Sequence, residues 1–175
     1  STDCTLSDNL IAHGGRIFPA AVGIWTGHAN KIRIEHNDID DFYYSGVSVG
    51  WSFHVRPSVS HHNTIAYNHI TRIGQGVLSD LGGVYTLGEQ PGTTVESNVI
   101  SDVSHARYGG HGIYLDAGSA EILVQNNLVY RTADVGINQN FGRDNTVRNN
   151  VFAFGRAGQV RVGNQERSAG AWLYR

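Results

Sequence analysis

Residues Ser79–Ser119 read SDLGGVYTLGEQPGTTVESNVISDVSHARYGGHGIYLDAGS. Between Asp80 and Asp116, two strand-like segments repeat one another: GVYTLG (Gly83–Gly88) and GIYLDAG (Gly112–Gly118). A β-strand turns successive side chains to opposite faces, so in GIYLD the residues Ile113 and Leu115 point one way, Tyr114 and Asp116 the other. An acid therefore stands beside an aromatic ring on an outer face.

The rest of the chain repeats this unit. Asn followed two residues later by an apolar residue recurs at Asn9, Asn37, Asn68, Asn98, Asn127 and Asn150, at intervals of 28, 31, 30, 29 and 23 residues. An aliphatic residue stands three before each Asn (Leu6, Ile34, Ile65, Val95, Val124, Val147), and an apolar one two after it (Ile11, Ile39, Ile70, Ile100, Val129, Phe152). A helical repeat would need apolar residues at spacings of three and four over ten or more residues. Here short alternating runs are broken by Gly, Asn and Asp. The pattern predicts an all-β parallel β-helix, a single-stranded solenoid of about six coils, with like residues stacked on like. The Asn column fits a corner, where Asn tolerates a left-handed backbone and builds an amide ladder from coil to coil.

A third segment, opened by Gly23, Gly46, Gly83, Gly112, Gly136 and Gly158, follows each Asn. Its outward positions hold Trp25, Ser48, Tyr85, Tyr114 and Asn138, which gives one sheet an aromatic and polar row. Insertions cluster around this segment, at His13–Val22, Gly74–Gly82 and Ser104–His111 before it and at Trp51–His62 after it. In a solenoid such loops wall one face and turn it into a groove. The fifth and sixth coils are the shortest and read as plain scaffold.

Composition limits the partners. The formal net charge is −2, and the 13 basic residues, of which Lys31 is the lone lysine, are scattered. That excludes a basic track for nucleic acid or a lipid surface. Cys4 is unpaired, no apolar run approaches a membrane span, and nothing calls for a cofactor. At 175 residues the chain reads as one domain, 1–175. Having no Met, it reads as a processed chain or a piece of a longer β-helix.

Asp116 is the leading candidate for chemistry, because Asp is disfavoured within strands and the adjacent Ala117 and Gly118 leave room for a ligand. Asp80 is the second. If GVYTLG pairs with GIYLDAG, Asp80 lies in the loop leading into the strand and folds over the groove. If GVLSDLG (Gly76–Gly82) pairs with it, the two acids stack directly. The first register keeps Gly88 ten residues before Asn98, as Gly27 is before Asn37, and is preferred. Two carboxyls across a groove suit glycosidic bond cleavage. Trp25, Trp51, Tyr85 and Tyr114 are rings that stack on sugars or on one another. Glu89 is a third acid. The nine His residues show no zinc spacing. Asp38, Asp40 and Asp41 suit Ca²⁺ or an ordinary turn. No metal site is assigned.

The segments YSGVSVGW, NTIAYNHI, LSDLGGVYTLGEQPGTTVESNVISDV and GGHGIYLDAGSAEILVQNNLVY, from about Gly46 to Tyr130, resemble the right-handed parallel β-helix proteins related to glycoside hydrolase family 141. The resemblance implies a secreted or periplasmic enzyme acting on a polysaccharide or oligosaccharide, of the α-L-fucoside or xylan type. It also implies a catalytic pair of aspartates at Asp80 and Asp116. Two alternatives stay open. One is a polysaccharide lyase, using a base such as Arg107 or His111; the other is a non-catalytic carbohydrate-binding or structural β-helix.

Overall fold

The computed structural model describes residues 1–53, 57–163 and 173–174. Residues 54–56, within the expected insertion Trp51–His62, lie outside the described residues. In chain order the first coil is β1 (Thr5–Ser7), β2 (Leu10–Gly14) and β3 (Ile24–Gly27). The second is β4 (Arg33–Glu35), β5 (Asp38–Phe42) and β6 (Val47–Gly50). The third is β7 (Thr64–Ala66), β8 (His69–Ile73) and the first half of β9 (Leu81–Glu96). The fourth runs from the second half of β9 through β10 (Val99–Val103) into β11 (Gly110–Gln125). The fifth continues β11 into β12 (Leu128–Thr132) and β13 (Val135–Asn140). The sixth is β14 (Thr146–Arg148), β15 (Val151–Ala153) and β16 (Gly158–Gly163), after which β17 (Leu173–Tyr174) pairs with β14.

Every pairing among these strands is parallel. Each coil thus contributes one strand to each of three faces of a parallel β-helix. The aliphatic columns fall where the repeat puts them. Leu6, Ile34, Ile65, Val95, Val124 and Val147 stack in register on one inner face. Ile11, Ile39, Ile70, Ile100, Val129 and Phe152 stack on another. In the middle coils these side chains are fully enclosed, so the dry interior is the stabilising body of the fold.

The six Asn residues form a continuous ladder, each side-chain amide donating to the Oδ1 of the next at 2.8–3.0 Å. One expectation changes: the left-handed residue is not the Asn but the one before it, namely Asp8, His36, Tyr67, Ser97, Asn126 and Asn149, with φ between 53° and 60°. The turn is made at that position, and this frees the Asn side chain to point inward and satisfy buried backbone. Asn98, for example, donates to the Ile65 carbonyl at 2.9 Å. The glycine column has a different cause, close approach. A Cβ at Gly112 would lie 2.1 Å from Val129 and 2.6 Å from the Gly136 carbonyl, so only Gly lets this face bend tightly over the core.

Candidate active site

The groove face carries an outward row of Trp25, Ser48, Tyr85, Tyr114, Asn138 and Arg161, each in register with the next. Of the two registers, the first is formed: Val84 faces Ile113 and Tyr85 faces Tyr114. Asp116 consequently stands opposite Leu87, and Asp80 sits in the turn just before β9 with φ 61°. Asp and Asn tolerate that conformation better than most residues.

The turn at Asp80 is held from several sides. Its N–H donates to the Tyr108 carbonyl at 3.0 Å, and the Tyr44 hydroxyl donates to its carbonyl at 2.9 Å. Gly109 packs so closely that a side chain there would come within 2.9 Å of the Asp80 Cα. The insertion of the fourth coil therefore clamps the acid presented by the third.

The rings of Tyr85 and Tyr114 stack with centroids 4.8 Å apart and planes at 7°, and their hydroxyls serve the two acids crosswise. Tyr85, on the third coil, donates to Asp116 Oδ2 at 2.7 Å; Tyr114, on the fourth, donates to Asp80 Oδ1 at 3.1 Å. Asn140 Nδ2 donates to the other Asp116 oxygen at 2.8 Å. Both acids line one cavity of about 420 Å³. Burial first, and then the charge of Asp116, push the Asp80 carboxyl above the usual carboxylate range, against the pull of the Tyr114 hydroxyl. The same surroundings raise Tyr44 to about 12, again through burial first and then Asp80 and Asp116.

The far wall of the cavity is a second polar cluster. The Arg161 guanidinium grips Asp134 through both Nη atoms at 3.0 and 2.6 Å, and the Gly109 N–H donates to Asp134 at 3.3 Å. Burial opposes ionisation of Asp134 most strongly of any single influence, but the Arg161 fork, His111 and the Gly109 N–H together hold the carboxyl below the usual range. His111 is enclosed, edge-on to Tyr114, with Nδ1 3.8 Å from Asp134 and Nε2 3.2 Å from the Asn138 amide. Burial lowers its pKa to about 4, so its imidazole is neutral at pH 7.

Several expectations are corrected by this geometry. Tyr85 and Tyr114 are buried and give their ring faces largely to each other, so they hold the acids and do not present free stacking surfaces. Glu89 is ion-paired with Arg143 outside the cavity, and Arg107 is exposed and is not among the lining residues. Trp25 and Trp51 lie further along the face, edge to face at 5.8 Å, beside a separate concavity of about 280 Å³. His111 does line the cavity. The fifth and sixth coils are not plain scaffold, since they supply Asp134, Asn138, Asn140 and Arg161. Arg161 escaped sequence reading because it is Gln159, not Gly158, that occupies the level of Gly136, a shift of one residue. Asp38, Asp40 and Asp41 each meet a separate basic partner, His69, Arg72 and the pair His13 and Arg16, so they do not converge on one point.

The family described as right handed beta helix region matches residues 1–152. The chain belongs to this family. A solved structure named glycoside hydrolase superposes on this right-handed β-helix with a TM-score of 0.66 at 24% identity, over 95% of this chain and 25% of that one. The chain thus spans about a quarter of the length of that protein, and the likeness is one of fold. Among curated proteins none matches. Within the right-handed β-helix, the two acids sit at the third and fourth of six coils, midway along the groove face.

Proposed function

We propose that this β-helix is a glycoside hydrolase in which Asp80 is the general acid and Asp116 the base. The observation that carries the reading is the pair itself: two carboxyls facing one cavity, cross-braced by a stacked tyrosine pair, with Asp80 raised above the usual carboxylate range by burial and by its neighbour's charge. A general acid needs to hold its proton near working pH, and Asp80 is displaced in that direction. Both Asp116 oxygens accept hydrogen bonds, from Tyr85 and Asn140, which fixes the carboxylate at the cavity wall.

In the step that follows, the glycosidic C–O bond breaks as Asp80 delivers its proton to the leaving oxygen. Water forms the new C–O bond at the anomeric carbon and gives its proton to Asp116. Exchange of one proton with solvent at each residue resets the pair. Asp80 lies in the turn before β9 and is not stacked on Asp116, and on that ground we read the pair as the inverting form, in which water occupies a gap of roughly 6.5–9.5 Å between the carboxyls. NMR detection of the anomer released first tests that choice.

A lyase reading is less well supported. Elimination from a uronate needs a cation to neutralise the sugar carboxylate, yet both Nη atoms of Arg161 are committed to Asp134 and His111 is uncharged. With Asp80, Asp116 and Asp134 against one guanidinium, the cavity suits a neutral glycan.

The test is a panel of neutral and acidic polysaccharides assayed for new reducing ends and, in parallel, for ultraviolet-absorbing unsaturated products. Reducing ends from a neutral glycan, lost in both Asp80→Asn and Asp116→Asn with the fold retained, support the hydrolase. Absorbing products from a uronate would replace it with a lyase. Glycan binding without turnover, unchanged in Asp116→Asn, would replace it with a binding module.

A further inference from the structure

One ring at the acid cavity is unpaired. Tyr108 lines that cavity together with Asp80, Tyr114 and Asp116, and it is 58% exposed. The neighbouring rings are taken up: Tyr85 and Tyr114 stack on each other, His111 meets Tyr114 edge-on, and Tyr44 meets Tyr85. Among the described residues the Tyr108 ring stacks on none, and its hydroxyl has no hydrogen-bond partner. The backbone beneath it is fixed. The Ala106 N–H donates to the Leu78 carbonyl at 2.7 Å and the Arg107 N–H to Ser79 Oγ at 3.0 Å. The Tyr108 carbonyl accepts from Asp80 at 3.0 Å and the Gly109 carbonyl from Leu81 at 2.6 Å, while the Gly109 N–H reaches Asp134 on the fifth coil at 3.3 Å. Four consecutive residues of an insertion are thus tied to the turn that carries Asp80, although surface loops are ordinarily the mobile part of a fold. Tyr108 also stands on the fourth of six coils, so its exposure does not arise at an end of the solenoid. A stiff ring on a fixed backbone costs little further ordering when a ligand covers it.

We infer that Tyr108 is the surface on which the departing sugar stacks, so that the site favours bonds joining one neutral sugar ring to another over glycosides of small groups without a ring. This deepens the hydrolase reading and rests on it for the assignment of sides. The glycosidic oxygen takes its proton from the general acid, so the leaving portion departs on the side of Asp80. Tyr108 is bonded through its carbonyl to the Asp80 N–H, whereas Asp116 is held by Tyr85 and Asn140. The free ring therefore stands beside the acid and meets the leaving portion. A pyranose presents C–H groups on its faces and hydroxyls at its rim. A phenol matches both, with the apolar ring against the C–H groups and the hydroxyl toward the rim.

The experiment has a binding arm and a cleavage arm. For binding, Asp116→Asn alone, with Tyr108→Ala and with Tyr108→Phe is titrated calorimetrically with neutral xylo-, cello-, manno- and galacto-oligosaccharides. Tyr108→Ala should weaken the best of these by about threefold to tenfold, the range for one aromatic contact, and Tyr108→Phe should restore most of the loss. Equal affinity in all three proteins, or no binding of any oligosaccharide to the first, overturns the inference. For cleavage, Tyr108→Ala in the otherwise unchanged chain should raise KM on the oligosaccharide more than it lowers kcat. Its loss of kcat/KM should be several-fold smaller on the glycosyl fluoride of the same sugar, whose leaving group has no ring. The pH profile of kcat/KM should keep the limbs of the parent. An equal loss on both substrates, or a displaced limb, overturns the inference, because Tyr108 would then act only through Asp80. Failure of the hydrolase reading shows separately, as absent turnover in the parent chain with binding still dependent on Tyr108, which leaves the ring as a sugar contact.

Discussion

Two of the three faces of this helix hold acids in different ways, with Asp134 and its Arg161 partner the exception on the groove side. On the face built from β5, β8, β10 and β12, the carboxylates have basic partners. Asp40 pairs with Arg72, Asp41 with Arg16 and His13, and Asp102 with both Nε and Nη2 of Arg131 at 2.6 Å. Asp41 and Asp102 are accordingly held below the usual carboxylate range, chiefly by hydrogen bonds from those arginines. On the groove face, Asp80 is half-buried among tyrosines with Asp116 as its charged neighbour, and it is pushed up. One residue type in one repeating frame thus gives ion-paired acids on one side and, on the other, a tyrosine-held pair in which Asp80 is raised. The difference lies in the arginines that reach Asp40, Asp41 and Asp102 and in the Tyr44 and Gly109 contacts that enclose the Asp80 turn.

The sharpest way to break this comparison is to neutralise acids on both faces. Asp80→Asn and Asp116→Asn should each lower turnover by about 10²–10⁴-fold, the range for loss of a general acid or base, whereas Asp41→Asn and Asp102→Asn should leave it unchanged. Comparable losses on both faces, read as kcat/KM on the best substrate of the panel, would remove the distinction. The next largest effect comes from moving an acid to the third environment, the interior. Val95 is fully enclosed, while Glu96 beside it faces out toward Gln125. Val95→Asp should cost about 3–5 kcal/mol, the penalty of an unpaired buried charge, and Glu96→Ala less than about 1 kcal/mol. Denaturant titration separates the two, and equal midpoints would contradict the inward assignment.

How much of this was legible follows from how strictly each feature repeats. The Asn ladder and the columns through Ile65 and Val95 were readable because stacked coils need like residues at like positions, and six copies mark the period. The register that puts Asp80 in the turn before β9 was readable from the spacing of Gly88 to Asn98. The other wall of the cavity was not. Asp134 and Arg161 occur once each, and the one-residue shift at Gln159 hides the outward position of Arg161. Burial of Tyr85 and Tyr114 was also hidden, because an outward position on a strand does not reveal that Tyr44 and the Asp80 turn fold over it. The left-handed residue before each Asn escaped for a third reason: it varies among Asp, His, Tyr, Ser and Asn, since the backbone bonds of the stacked coils impose the conformation on whatever residue stands there.

A smaller effect sharpens the comparison at the level of single hydroxyls. Tyr85→Phe keeps the stacked ring and removes the donor to Asp116 Oδ2, so turnover should fall by roughly 10- to 100-fold, as for one hydrogen bond to a charged group. Ser101→Ala removes the corresponding hydroxyl from Asp102 Oδ2, a bond of 3.0 Å, and should not change turnover. An equal response in the two variants, measured as kcat/KM, would mean that the tyrosine only packs.

The smallest effect is on stability against pH, and its sign differs between the faces. Asp80 has a raised pKa in the folded chain, so the folded state binds its proton more tightly than the unfolded state, and stability falls as pH rises from the ordinary value of 3.8 through the raised one. Asp80→Asn removes that penalty: it should gain stability at neutral pH and lose the advantage below 3.8, where both states of the parent are protonated. Asn tolerates the left-handed turn and still accepts from Tyr114, so the substitution itself adds little strain. Asp102 has a lowered pKa, so its contribution is present above 3.8 and is lost as pH falls through the folded value. Asp102→Asn should therefore lose stability at neutral pH, by no more than about 1 kcal/mol, because the pair with Arg131 is exposed and screened. Thermal melts of parent and both variants at pH 7 and at pH 3 give the comparison. A gain for Asp80→Asn and a loss for Asp102→Asn at pH 7, both shrinking at pH 3, is the expected pattern. Changes of the same sign would mean that the two faces hold their acids by one mechanism.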